Sequence, residues 1–242
     1  MSNERELQQI REAADYFMPK GAFVAGGALT SVFTGTKISD VDLYFKSNED
    51  FEDAIYSAYD ENLWCVSATD RAVTFVRDGC VVQLMRFSFF ETAHSIFDAF
   101  DFTACMAAYD IDAGQFVFHE DFFKHASQRH LSFHSGTRFP FGSLLRVLKY
   151  QARGYTIGKG DLLRIALCCH KTNLESWDDL ARAVGGQYGR RVELDATGPF
   201  SIEAAVSVIQ AGDFTVPDDG DAMPGNAEAL IAYLKNNTAP AS

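Results

Sequence analysis

The chain has 242 residues, which suffices for one large domain or two small ones, and its 47% of hydrophobic residues can form a sizeable core. The net charge of −12 argues against tight binding of long duplex nucleic acid, because such binding needs a basic surface. No apolar run is long enough for a membrane, the N-terminus is polar, and five scattered cysteines indicate no disulfide framework, so we expect a cytoplasmic protein.

Helices and strands alternate in the first half of the chain. Apolar residues recur at helical spacing near the N-terminus and in short runs afterwards. In chain order, we predict a helix over 4–17, a strand over 23–25, a helix over 28–33, a strand over 41–45, a helix over 51–59, strands over 65–68, 72–76 and 81–87, a helix over 93–97, and a hairpin over 104–109 and 115–118.

The second half is predicted to be mostly helical. The segment 135–140 contains Gly and Pro and interrupts the periodicity, which indicates a boundary. We therefore predict a head domain over 1–137, a helical neck and C-terminal domain over 138–235, and a disordered tail over 236–242. The predicted helices cover 120–127, 142–152, 161–169, 177–184, 202–209 and 227–235.

One segment indicates phosphate chemistry. Gly26 and Gly27 follow the apolar run 22–25 and precede a short helix, so backbone N–H groups there would be free for an anion. Asp40 and Asp42 lie at the start of the next strand and would point to the same face. Two adjacent carboxylates repel each other unless a cation lies between them, and Mg²⁺ prefers oxygen ligands. The alternative is an ordinary surface pair.

The motif resembles the signature of the polymerase-β-type nucleotidyltransferase superfamily, and specifically the head and neck of tRNA CCA-adding enzymes and bacterial poly(A) polymerases. Two later segments, 101–109 and 144–157, are similar to that branch in the same order. The resemblance covers roughly Gly21 to Ile157. It implies an α/β (α+β) head with a mixed central sheet followed by a helical neck.

The resemblance also implies roles for individual residues. Asp40 and Asp42 would hold Mg²⁺ or Mn²⁺ and catalyse transfer, while the backbone at Gly26, Gly27 and Ala28 would bind the phosphates of an NTP such as ATP.

Three basic residues are further candidates for nucleotide binding. Lys37 would neutralise phosphate, or it is a solvated loop lysine. Arg146 and Lys149 lie on one face of the neck helix together with Arg153. They would contact triphosphate or an RNA backbone, or that face is simply solvated.

Several positions depart from the family pattern. The neighbouring strand usually carries a third carboxylate, and the equivalent position here is Gln83, which is neutral and cannot act as a base at neutral pH. Asp101 is an alternative catalytic carboxylate, or it contacts the nucleotide. The usual arginine before it is replaced by Phe100, and the segment 139–143 lacks the charged residues that read the base.

The leading hypothesis is a metal-dependent nucleotidyltransferase that moves NMP from an NTP to a hydroxyl acceptor, either an RNA 3′ end such as that of tRNA or a small molecule. The first alternative is a catalytically reduced binding or structural module with the same fold. The second is a toxin-like enzyme that modifies a protein or tRNA. The sequence does not select the acceptor or the base.

Overall fold

A computed structural model describes residues 3–137, 139–184, 193–194, 198–211, 214–215 and 223–237. Its centre is a seven-stranded sheet in the order β3-β4-β5-β2-β1-β6-β7. Within this sheet β2 and β5 are parallel and the other neighbouring pairs are antiparallel, which confirms the predicted mixed sheet. The strands are β1 (Ala22–Ala25), β2 (Val41–Phe45), β3 (Trp64–Ala68), β4 (Ala72–Arg77), β5 (Cys80–Met85), β6 (Ala107–Asp110) and β7 (Gln115–Phe118).

The helices follow the predicted order closely. They are α1 (Glu4–Ala13), α2 (Gly27–Thr34), α3 (Asn48–Asp60), α4 (Ala93–Asp98), α5 (Phe122–Ser127), α6 (Pro140–Ala152), α7 (Lys159–His170), α8 (Trp177–Val184), α9 (Ile202–Ala211) and α10 (Ala227–Asn237). Short strands β8 (His130–Leu131) and β9 (Thr156–Ile157) pair with each other, as do β10 (Glu193–Leu194) and β11 (Phe214–Thr215).

The first helix is shorter than predicted. It ends at Ala13, although apolar residues continue at helical spacing to Phe17. Asp15 and Tyr16 both have positive φ values, 49° and 63°, which an α-helix does not accommodate. Phe17 is nevertheless buried, so the turn at Asp15 and Tyr16 places its side chain in the core although the helix has ended.

The two faces of the sheet have different surroundings. One face packs against α1, α2, α3 and α10 and contains fully buried residues such as Leu43, Phe75 and Leu84. The opposite face packs against α4 through Phe23, Tyr44 and other apolar residues. Side chains alternate along a strand, so β2 sends its apolar residues at 41, 43 and 45 into the first core. Residues 42 and 44 therefore face the other side.

The chain after residue 137 is not confined to one helical layer. Helix α6 packs against α7 and α8. In contrast, α10 returns to the head, where Leu230 and Leu234 join the core beside α3 and Lys235 pairs with Glu52 at 3.0 Å. The division at residue 137 stays a prediction. Helix α10 includes residues 236–237 of the predicted tail, and 238–242 lie outside the described residues.

None of the helices in the described ranges combines the length and the apolar composition that crossing a bilayer requires.

Candidate functional site

The predicted carboxylate pair lies at the start of β2, the middle strand of the seven-stranded sheet. Asp40 immediately precedes β2 and accepts a hydrogen bond from Ser39 Oγ, and Asp42 lies within the strand. Burial raises the pKa of Asp42 to about 8, the negative charge of Asp40 adds to this shift, and the positive charge of Lys149 opposes it. The pair is therefore electrostatically unfavourable by itself, and a bound cation would relieve it.

The two glycines are adjacent to this pair. Gly26 pairs with the sheet through its N–H to Ala107 O, has a φ of +83°, and precedes the first turn of α2. A methyl group at Gly26 would come within 3.5 Å of Phe100 and 3.9 Å of Asp42 Oδ2. A methyl group at Gly27 would meet no atom of the described residues within 4 Å, so the backbone there is open to a ligand.

Ala28 contributes differently from the glycines. Its side chain is buried in the core between α2 and the sheet. Only its backbone N–H, in the first turn of the helix, is therefore suited to contact a phosphate. The positive end of the helix dipole points in the same direction.

Helix α6 brings two of the predicted basic residues to the carboxylates. Arg146 Nε donates a hydrogen bond to Asp101 Oδ2 at 2.6 Å, and the charge of Lys149 acts on Asp42. Burial would lower the pKa of Arg146, but the charge of Asp101 and the hydrogen bond outweigh it and raise that pKa. Arg153 lies directly after α6 and lines a small cavity beside α2 together with Gly27.

The negative charge of Asp101 is therefore already paired with the positive charge of Arg146. Its side chain is largely buried, and the ion pair with Arg146 engages one carboxylate oxygen. The ring of Phe100, which replaces the family's arginine, packs against Tyr44 with the ring centroids 5.7 Å apart. This ring also borders Gly26, so an apolar wall stands where the family pattern has a positive charge.

Gln83 lies directly beside Asp42. The parallel register pairs Asp42 of β2 with Gln83 of β5, and the antiparallel register then pairs Gln83 with Thr74 of β4 and Thr74 with Ser67 of β3. Thr74 Oγ1 is buried and has no hydrogen-bond partner among the described residues. Sequence reasoning missed Thr74 and Ser67. Thr74 alternates with Val73 and Phe75, but only the register shows which neighbours it meets.

Lys37 lies apart from the glycines. It is exposed in the loop between α2 and β2, where it lines a groove of about 540 Å³ together with Arg5, Ser39 and Val81. One residue that lines this groove, Ser39, directly precedes Asp40 in the chain, but the groove is otherwise formed with α1 and the turn between β4 and β5. The structure therefore does not bring Lys37 to the glycine turn.

The donor set fits Mg²⁺ or Mn²⁺ only in part. Asp40 and Asp42 provide two carboxylates, and the residues described contain no group of three or more His, Cys, Asp or Glu side chains that could hold a metal. Mg²⁺ is commonly bound by one or two carboxylates with substrate phosphates and water completing its octahedron. Two aspartates beside an open glycine turn are consistent with that mode.

Comparison with known proteins gives a family match and a fold match. A model of the Gad2 family, described as Gabija anti-defense 2 family protein, matches residues 4–129. The protein named Gabija anti-defense 2 of Bacillus phage SPbetaL7 is 39% identical over 211 residues, which are 86% of this chain and 52% of that protein. The chain thus spans about half the length of this relative.

Two solved structures have a similar fold. The CCA-adding enzyme of Thermotoga maritima in complex with tRNA aligns with a TM-score of 0.51 at 15% identity, over 78% of this chain and 49% of the enzyme. A CCA-adding enzyme in complex with ATP aligns with a TM-score of 0.52 at 16% identity, over 75% and 47%. At these identities the likeness concerns the fold alone, and it confirms the predicted α/β head with a mixed central sheet.

Proposed function

The chain belongs to the Gabija anti-defense 2 family, and we propose that it is a metal-dependent nucleotidyltransferase that moves NMP from an NTP to a hydroxyl acceptor. The observation that carries this proposal is the juxtaposition of Asp40 and Asp42 with the open glycine turn and with Lys149. The family name further motivates the proposal that this activity counteracts the Gabija defence.

Each group in the site would have a limited task. Asp40 and Asp42 would hold Mg²⁺ or Mn²⁺, and such ions neutralise charge on the transferred phosphoryl group and on the acceptor oxygen. The N–H groups of residues 26–28 would bind the outer phosphates at the start of α2. Lys149 would add positive charge on the opposite wall, and Arg146 would hold Asp101 in place. Nucleotidyl transfer needs positioning more than covalent catalysis, and this set supplies positioning.

The proposed mechanism lacks a dedicated base that would remove the proton from the acceptor hydroxyl. Gln83 occupies the place where polymerase-β-type nucleotidyltransferases usually have a third carboxylate, and a neutral amide cannot accept a proton at neutral pH. The proton would leave to water or to one of the two aspartates. We therefore expect slower transfer than a site with three carboxylates would give.

The second candidate function is a binding or structural module that has lost catalysis. It is favoured by Gln83 and by the ion pair that occupies Asp101. Such a module would bind NTP weakly or independently of metal. The toxin-like alternative, transfer to a protein or tRNA hydroxyl, differs only in the acceptor and shares the proposed site.

The test is label transfer from each of four α-labelled NTPs, with Mg²⁺ or Mn²⁺, to total cellular RNA and to soluble protein. The Asp40→Asn/Asp42→Asn double variant should lose transfer. The matched control is Asp53→Asn/Asp60→Asn, which makes the same charge change on the exposed surface of α3. Equal transfer by parent and site variant would refute the proposal. No transfer, together with no metal-dependent NTP binding, would favour the module.

A further inference from the structure

A small cavity lies beside the glycine turn, between α2 and the C-terminal end of α6. Its volume is about 30 Å³, and its lining includes Gly27, Ser31, Arg129, Arg153 and Tyr155. A single water needs about 10–15 Å³ of such space, so the cavity holds about two waters or one tetrahedral group and is too small for a nucleoside. The described residues that line it include no carboxylate, although the chain has a net charge of −12.

Two arginines give this cavity positive charge. Arg129 Nη1 donates a hydrogen bond to Arg153 O at 3.0 Å, which holds its guanidinium against the end of α6. Neither arginine side chain forms an ion pair with a carboxylate of the described residues. Burial and the nearby Cys105 thiol raise the pKa of Tyr155, and the positive charges of both arginines oppose that rise. Both guanidinium groups therefore act on the same wall of the cavity.

Two buried hydroxyl groups in the wall have unused hydrogen-bonding capacity. Ser31 is 8% exposed and Tyr155 is 7% exposed, and neither hydroxyl has a hydrogen-bond partner among the described residues. Thr30 differs, because its hydroxyl donates to Gly26 O and Ala104 O. A buried hydroxyl costs free energy until water or a ligand completes its hydrogen bonds. Two such donors beside two cations indicate that the ligand is an anion.

The cavity also adjoins the start of α2. Gly27 belongs to its lining, so an anion there lies beside the free backbone N–H groups and the positive end of the helix dipole. On the Gly26 side of the turn, the ring of Phe100 supplies no charge. On the Gly27 side, Arg129 and Arg153 supply two charges. The glycine turn is therefore open to phosphate on the side of the two arginines.

We propose that this cavity is an oxyanion site that holds one phosphoryl group through the two arginines and the hydroxyls of Ser31 and Tyr155. One source of this group is the terminal phosphate of an NTP whose other phosphates lie at the glycine turn, and that part of the inference rests on the proposed nucleotidyltransferase function. Free inorganic phosphate has the same chemistry and is the other source. The size of the cavity leaves the base outside, so the site distinguishes ligands by their phosphates.

Calorimetric titration with ATP, AMP and sodium phosphate, at equal ionic strength and with Mg²⁺, tests the site without catalysis. Arg129→Gln/Arg153→Gln should weaken ATP binding by about 10- to 150-fold and leave AMP binding unchanged, because AMP has no phosphate that reaches the cavity. The matched control is Arg5→Gln/Arg11→Gln, which makes the same charge change on the exposed surface of α1. ATP binding by the cavity variant equal to that of the parent would overturn the proposal.

The phosphate titration distinguishes the two sources. Phosphate that binds the parent, competes with ATP and loses affinity in the cavity variant would show that the site also takes free phosphate. Phosphate that has no effect on an arginine-dependent binding of ATP would restrict the site to the terminal phosphate of the nucleotide. A parent protein that binds neither ATP nor phosphate would refute the oxyanion site.

The hydroxyl groups provide a second pair of variants, because loss of the bond from Arg129 to Arg153 O can disturb folding. Ser31→Ala and Tyr155→Phe remove no hydrogen bond to a described residue, so each should keep the parent's melting temperature without ligand. Each should weaken ATP binding by about 2- to 10-fold and leave AMP binding unchanged. Parent-like ATP binding by both variants would contradict the proposed site.

The transfer assay separates this inference from the proposed function. Arg129→Gln/Arg153→Gln should raise the KM for NTP. If transfer requires both aspartates but the cavity variant has the parent's KM for NTP, the function stands and the oxyanion site is wrong. If the cavity variant loses ATP affinity but the parent transfers no label, the oxyanion site stands and the enzymatic proposal is wrong.

Discussion

Asp42→Asn should stabilise the metal-free protein and at the same time abolish its activity. The carboxyl group of Asp42 has a pKa of about 8 in the folded chain, against 3.8 ordinarily, because it is buried beside Asp40. A carboxyl group with a raised folded-state pKa binds more protons when folded, so the free energy of unfolding falls as the pH rises between those two values. Each pH unit in that window costs about 1.4 kcal/mol.

Three pH units between 5 and 8 therefore set an upper limit of about 4 kcal/mol on the stability that the parent loses through this group. The side chain of Asp42 keeps some contact with solvent, which reduces the loss, and we expect about 2–4 kcal/mol. The amide of Asp42→Asn does not ionise. Relative to the parent, the variant should gain this amount between pH 5 and pH 9.

The assay is urea denaturation of both proteins in EDTA at pH 5, 7 and 9, repeated with Mg²⁺. Mg²⁺ should raise the stability of the parent at pH 9 and leave that of Asp42→Asn nearly unchanged, because only the parent has both ligands. Asp53→Asn controls for the change in net charge. A difference in unfolding free energy between parent and Asp42→Asn that is the same at pH 5 and pH 9 would refute the electrostatic argument.

Three other substitutions probe separate parts of the site. Gly27→Ala should change the melting temperature by no more than about 1 °C, which corresponds to a few tenths of a kcal/mol, because its methyl group meets none of the described residues within 4 Å. It should nevertheless weaken NTP binding in a fluorescent-nucleotide titration. Gln83→Glu should increase metal-dependent transfer and destabilise the metal-free protein by about 1–3 kcal/mol, since it places a third buried carboxylate beside Asp42; unchanged activity would argue against a base at this position. Arg146→Ala should cost about 3 kcal/mol in denaturation, because it leaves Asp101 largely buried without its cation, and Arg146→Lys should recover part of the loss.

Local patterns predicted the part of the site that lies within one segment of chain. Gly26, Asp40 and Asp42 are close in sequence, and the strand period alone gives the common face of the two aspartates. The resemblance to polymerase-β-type nucleotidyltransferases predicted that Gln83 lies beside Asp42, and the parallel register of β2 and β5 agrees with this prediction. The roles of these residues remain proposals.

Non-local relations were not predictable in the same way. The ion pair between Asp101 and Arg146 joins residues 45 positions apart, and no periodicity links them. Trp64 is exposed on the edge strand β3, where the register to β4 shifts, and its strand-like sequence alone does not predict that exposure. The early end of α1 at Ala13 reflects two residues with positive φ, neither of which is a glycine.

The return of α10 to the head also affects how the chain is made. Leu230 and Leu234 complete a core to which α3 contributes Phe51 and Ile55, so the two parts of this core are separated by most of the sequence. After α3 has emerged from the ribosome, well over a hundred further residues must be synthesised before α10 emerges. During that interval the nascent head exposes an apolar surface, and at ordinary elongation rates this lasts many seconds. Synthesis of α10, rather than of the sheet, would then determine when the head acquires its final stability.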